Sequence, residues 1–146
     1  MPAAEVQPKQ LGIFKYLSQA KKWAYVVTQP DLEPGYLKCR VLTAGTYALL
    51  RDVFPPLIAF HKPASKYRQK LTHLVVHISD LGKGVDERTI AIVLNGRNVD
   101  AEYDPDWNHV LIADGKYWRR GKNNLRVRAS DHAGNPSEKT FVFSLR

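Results

Sequence analysis

Asp80, Asp86, Asp131 and Asn135 lie within three residues of glycines and could supply oxygen to a cation. Carboxylates and side-chain amides in glycine-containing loops are the hard donors that calcium takes. The competing reading is local, because Asp and Asn side chains commonly accept backbone N–H groups within their own turns. The segments lack the twelve-residue order of an EF-hand loop and carry few carboxylates. The turn reading therefore outweighs calcium, and no cofactor is expected.

His73 and His77 have the i, i+4 spacing that pairs two imidazoles on a helix. On a strand the same spacing separates them by roughly 13 Å, so they are not read as a metal pair. Cys39 is the single cysteine, which excludes an internal disulfide and a cysteine-built zinc site. No nucleophile-elbow sequence supports hydrolytic catalysis, and the chain is read as non-enzymatic.

Basic residues cluster twice, as Lys62, Lys66, Arg68 and Lys70 and as Lys116, Arg119, Arg120, Lys122, Arg126 and Arg128. Tyr67, Tyr117 and Trp118 lie among them. Cations interleaved with aromatic rings hold anionic polymers and stack on sugars or bases. With a net charge of +8, polyanions would be attracted. The candidate ligand-binding set is Lys116, Trp118, Arg119, Arg120, Lys122, Arg126 and Arg128. A solvated strand face is the simpler account of these charges. An acidic glycan or wall polymer comes next, and nucleic acid last. Trp23 and Trp107 are expected in the core or in packing between modules.

These residues must be positioned by strands, because the apolar pattern has period two nearly throughout. Leu74, Val76 and Ile78 alternate with Val75, His77 and Ser79, and Leu125, Val127 and Ala129 alternate with Arg126 and Arg128. Such runs predict antiparallel strands with one wet face. Seven follow Pro55-Pro56: 57–61, 72–79, 89–94, 100–103, 109–112, 124–130 and 139–144. Four precede it: 12–16, 23–27, 36–42 and 46–51. Asn95-Gly96 predicts a tight hairpin from 89–94 to a strand starting near Val99. Pro34-Gly35, Ala44-Gly45, Asp104-Pro105, Gly121 through Asn124 and Gly134-Asn135-Pro136 read as turns, and Tyr16 to Lys22 as a short helical turn. In the run Leu37-Cys39-Val41, Cys39 is expected to be buried and unreactive.

Pro55-Pro56 cannot donate to a ladder, so the chain divides there. Residues 55–146 then carry the strand inventory of a complete immunoglobulin-like antiparallel β-sandwich. Residues 1–54 form a β-rich N-terminal segment, read as either the remainder of a second β-module or strands lying across the first domain. The balance of 44% hydrophobic and 25% charged residues excludes wholesale disorder. No apolar run approaches the length that spans a bilayer, and Met1 to Gln10 lacks a secretory signal core.

Three segments carry a resemblance: Asp80-Leu81-Gly82-Lys83-Gly84-Val85-Asp86, Leu94-Asn95-Gly96, and Leu125 through Asp131-His132-Ala133-Gly134-Asn135. They resemble bacterial immunoglobulin-like accessory modules, found C-terminal in some secreted M23-type metallopeptidases. Lys83 and Asn95 depart from the commonest pattern at tolerable turn positions. The segment from Trp23 through Ala44-Gly45-Thr46 to Asp52 resembles the end of the β-rich module that precedes them. The resemblance implies a piece of a longer exported protein, periplasmic or extracellular, acting as a non-catalytic interaction or spacer module. The alternative is a domain binding carbohydrate or an anionic wall polymer such as peptidoglycan. An enzyme is third, since the peptidase's metal-binding motifs are absent.

Overall fold

Residues 7–30, 35–63 and 65–146 are described by the computed structural model, and every strand pairing in it is antiparallel. Alternating apolar residues give β1 (Leu11–Leu17), β2 (Lys22–Val26), β3 (Thr28–Pro30), β4 (Leu37–Cys39) and β5 (Tyr47–Arg51). They form a sheet in the order β2-β1-β5 and a separate β3-β4 ribbon. Tyr16 to Lys22 is a hairpin, not a helical turn: Leu17 pairs with Lys22, and Lys21 takes a φ of 48° to close it. Pro34, from one expected turn, lies outside the described residues.

Cys39 is half-buried, a correction to its expected place in the core. Its alternation is real, with Lys38 and Arg40 exposed, but Val41 is exposed as well. Leu37 is likewise only half-buried, so the short ribbon leaves its apolar residues partly open to water.

Pairing stops across 52–56, where Pro55 and Pro56 supply no N–H. Beyond them come β6 (Leu57–His61), β7 (Leu74–Ser79), β8 (Val85–Leu94), β9 (Arg97–Asn98), β10 (Glu102–Asp104), β11 (His109–Ile112), β12 (Gly121–Asp131) and β13 (Pro136–Leu145). Two four-stranded sheets result, β10-β11-β7-β6 and β13-β12-β8-β9. Their inward residues make one apolar cluster, including Ile58, Leu74, Val76, Ile78, Leu94, Val110, Leu125, Val127 and Leu145. Removing this area from water is the main stabilising term of the β-sandwich. Among the described residues no helix is long and apolar enough to cross a membrane.

The expected strands recur with shifted ends. β8 begins at Val85 instead of Thr89, and β12 runs from Gly121 to Asp131, with a register shift against β8 between Arg128 and Ser130. The Asn95-Gly96 hairpin forms, with φ of 54° and 81°, the two positive values a type I′ turn needs. Its second strand starts at Arg97, two residues before the expected position, because Leu94 pairs directly with Arg97.

Candidate functional site

Asp52 lies just past β5, Asp80 just past β7, and Asp131 ends β12. The three come together where the N-terminal sheet abuts the sandwich, with one oxygen from each carboxylate within 4.8 Å of the others. Asp52 is 3% exposed and Asp131 2%. Backbone donors aim them. Asp52 accepts Lys83 N at 2.7 Å through Oδ2 and Phe54 N at 3.3 Å through Oδ1. Asp80 Oδ2 accepts Gly82 N at 2.8 Å and Gly84 N at 2.9 Å. Asp131 accepts Asn135 N and Nδ2, both at 2.7 Å, and the same amide donates to the Asp52 carbonyl at 3.2 Å.

Asp80 Oδ1 is buried and has no hydrogen-bond partner. Burial pushes the Asp80 carboxyl above its ordinary range against the pull of the Gly84 and Gly82 amides, and the Asp52 and Asp131 charges push the same way. Among the described residues no ion pair involves the three carboxylates. The nearby Lys83 ammonium instead donates to the carbonyls of Lys9 and Leu11 and lies over the Tyr25 ring. A Cβ on Gly82 would overlap the Asp52 carboxylate, so only glycine fits there.

No protein-family model matches this chain, and no curated protein matches it in sequence.

Of the acidic residues singled out in the sequence, Asp80, Asp131 and Asn135 converge, and the turn reading also holds for their backbone bonds. Asp86 does not join them. It grips Arg88 with both oxygens at 2.9 Å, and that side-chain hydrogen bond holds its carboxyl below the usual range. Asp52 was not singled out. It stands 28 residues from Asp80 and 79 from Asp131, with no glycine-rich context of its own. The available signal was its place just before Pro55-Pro56, at the division of the chain.

The basic set does not form one face. Lys122, Arg126 and Arg128 point outward from β12. Lys116 instead binds Asp114 at 2.7 Å and leans over the Tyr117 ring. Trp118 is 3% exposed and part of the core, a correction to its candidate role in stacking on a ligand. Tyr117 is also buried in that cluster. Arg120 meets Arg68 from the other basic cluster in a cleft of about 380 Å³ lined also by Tyr67, Gln69 and Arg146.

Trp107 is 69% exposed, which takes it out of the core, because it rides the turn between β10 and β11. Trp23 is half-buried and packs on Tyr16. It lines a cleft of about 630 Å³ at the seam, with Tyr25, Phe54 and Leu81. His77 has no contact with His73. It lies between His61 and His109, with ring centroids 5.4 and 5.8 Å away.

Proposed function

We propose that this chain is a non-catalytic spacer or interaction module of an exported bacterial protein, an immunoglobulin-like sandwich with a β-rich segment fixed to one end. The observation that supports it is the seam. Asn135 bonds the Asp52 carbonyl, Lys83 N bonds the Asp52 carboxylate, and Lys83 Nζ bonds two carbonyls ahead of and within β1. A flexible tether would leave these groups to water, whereas a spacer that transmits position needs them joined. Periplasmic or extracellular placement follows from the resemblance described above.

NMR relaxation tests this reading. One rotational correlation time is expected for residues 11–51 and 57–145 together. Lys83→Met, which removes three donors but keeps the side chain's length, should loosen the N-terminal sheet first. Two correlation times in the unaltered chain would refute the rigid spacer.

A second reading, binding of an acidic glycan or wall polymer, is supported by the cleft that gathers Arg68, Arg120 and Arg146 beside Tyr67. Retention on peptidoglycan or an acidic glycan should then fall steeply with salt as counterions are released. Replacing Arg68 and Arg120 by Ser, or Arg126 and Arg128 by Ser, should weaken it without lowering Tm. Retention unchanged by salt and by both pairs of changes would leave the basic residues as a solvated surface.

A further inference from the structure

We propose that Asp52, Asp80 and Asp131 hold one divalent cation of the calcium class at the seam between the N-terminal sheet and the sandwich. The proposal stands on the carboxylates themselves and does not depend on the spacer reading.

Geometry supplies the first argument. Oxygens bound to calcium at 2.3–2.6 Å can lie at most about 4.6–5.2 Å apart, and the three carboxylate oxygens here fall within 4.8 Å of one another. The donors are all hard oxygens, with no thiolate or imidazole among them, which disfavours zinc and copper.

Asp80 Oδ1 supplies the second argument. It is a buried acceptor beside two other carboxylates and has no donor. Every other carboxylate oxygen of the three accepts a backbone or side-chain N–H. A carboxylate oxygen with one such bond keeps a second lone pair for a metal. These bonds hold the three groups converged before any ion arrives.

Charge supplies the third. Two of the carboxylates are almost wholly buried and none has a basic partner among the described residues, so only N–H dipoles offset their mutual repulsion. A divalent ion removes most of that repulsion and ties the end of β5 to the ends of β7 and β12. Protonation is the competing remedy, and the experiment separates the two.

The test is thermal unfolding of the whole chain, first in EDTA and then with calcium added, beside terbium emission sensitised by the nearby Trp23 and Tyr25. Tm should rise with calcium through about 0.1–1 mM, the range of extracellular calcium modules, and terbium should luminesce. Asp80→Asn should lower calcium affinity by about tenfold or more. In EDTA it should be at least as stable as the unaltered chain, because one of three like charges is gone. Asp86→Asn should keep the full response. A folded wild-type chain showing neither a calcium-dependent Tm nor terbium emission at millimolar ion overturns the proposal. So does an Asp80→Asn chain equally destabilised with and without calcium, which would make Asp80 a turn residue only. Loss of the response in Asp86→Asn would overturn the ligand assignment. Failure of the NMR test for rigidity would leave these readouts unaffected.

Discussion

Asn123→Ala is expected to lower folding stability by about 2–4 kcal/mol, with a Tm roughly 10 °C below the unaltered chain. Asn123 has no exposed surface. Its Oδ1 accepts Arg119 N and Asn95 Nδ2, both at 2.8 Å, and its Nδ2 donates to the carbonyls of Arg119 at 2.8 Å and Gly121 at 2.9 Å. One amide thus satisfies both halves of its hydrogen-bonding capacity and fastens the 119–121 loop to the Asn95-Gly96 hairpin. Alanine would leave those partners short of a bond, and each buried orphan costs about 1–3 kcal/mol. Water reaches the outer side of the loop, where Arg119 and Gly121 are exposed, which keeps the total below the sum of four such losses. Urea denaturation should show a lower midpoint with an unchanged slope. The neighbouring Asn124 is exposed, so Asn124→Ala should shift stability by no more than about 0.5 kcal/mol. Equal effects at the two positions would refute the pinning role.

Legibility in the sequence followed the range of the interactions. Leu74, Val76 and Ile78 could be assigned to the core because a strand's two faces are written into adjacent residues. The Asn95-Gly96 turn could be read because its backbone demand falls on the two residues themselves. Asn123 was hidden in Gly121-Lys122-Asn123-Asn124, which reads as a polar turn although it opens the longest strand. Trp118 misled because it stands between a basic stretch and a tyrosine in sequence, while its ring turns into the core. The opposite error occurred at Trp107 and Val41, where apolar character implied burial but no layer lies above them. For the acidic site, Asp80 and Asp131 announced themselves through their glycine-rich turns. Asp52 joins only through the docking of the N-terminal sheet, and no local pattern encodes that contact.

Gly82→Ala isolates that docking. Position 82 does not occupy the left-handed region, so alanine's backbone preferences raise no objection. The obstacle is steric, since the added methyl would overlap the Asp52 carboxylate. That carboxylate is held on one oxygen by Lys83 N and on the other by Phe54 N, and it has almost no solvent to retreat into. It must move away, breaking a hydrogen bond to a charged acceptor, or the 80–84 loop must shift and release Asp80. Overpacking of about 1–3 kcal/mol together with the lost bond gives an expected destabilisation of about 2–4 kcal/mol. The damage should be uneven. Hydrogen exchange should accelerate in β1, β2 and β5 well before it does in β7 or β12, because the sandwich core does not touch the clash. Leu81→Ala is the control, since that side chain is 86% exposed and should be near neutral. A double-mutant cycle decides the mechanism. With Asp52→Ala the carboxylate is gone, so adding Gly82→Ala should cost little more, a coupling of about 1–3 kcal/mol. Strict additivity would show that residue 82 and Asp52 do not press on one another, and would remove the steric basis of the seam.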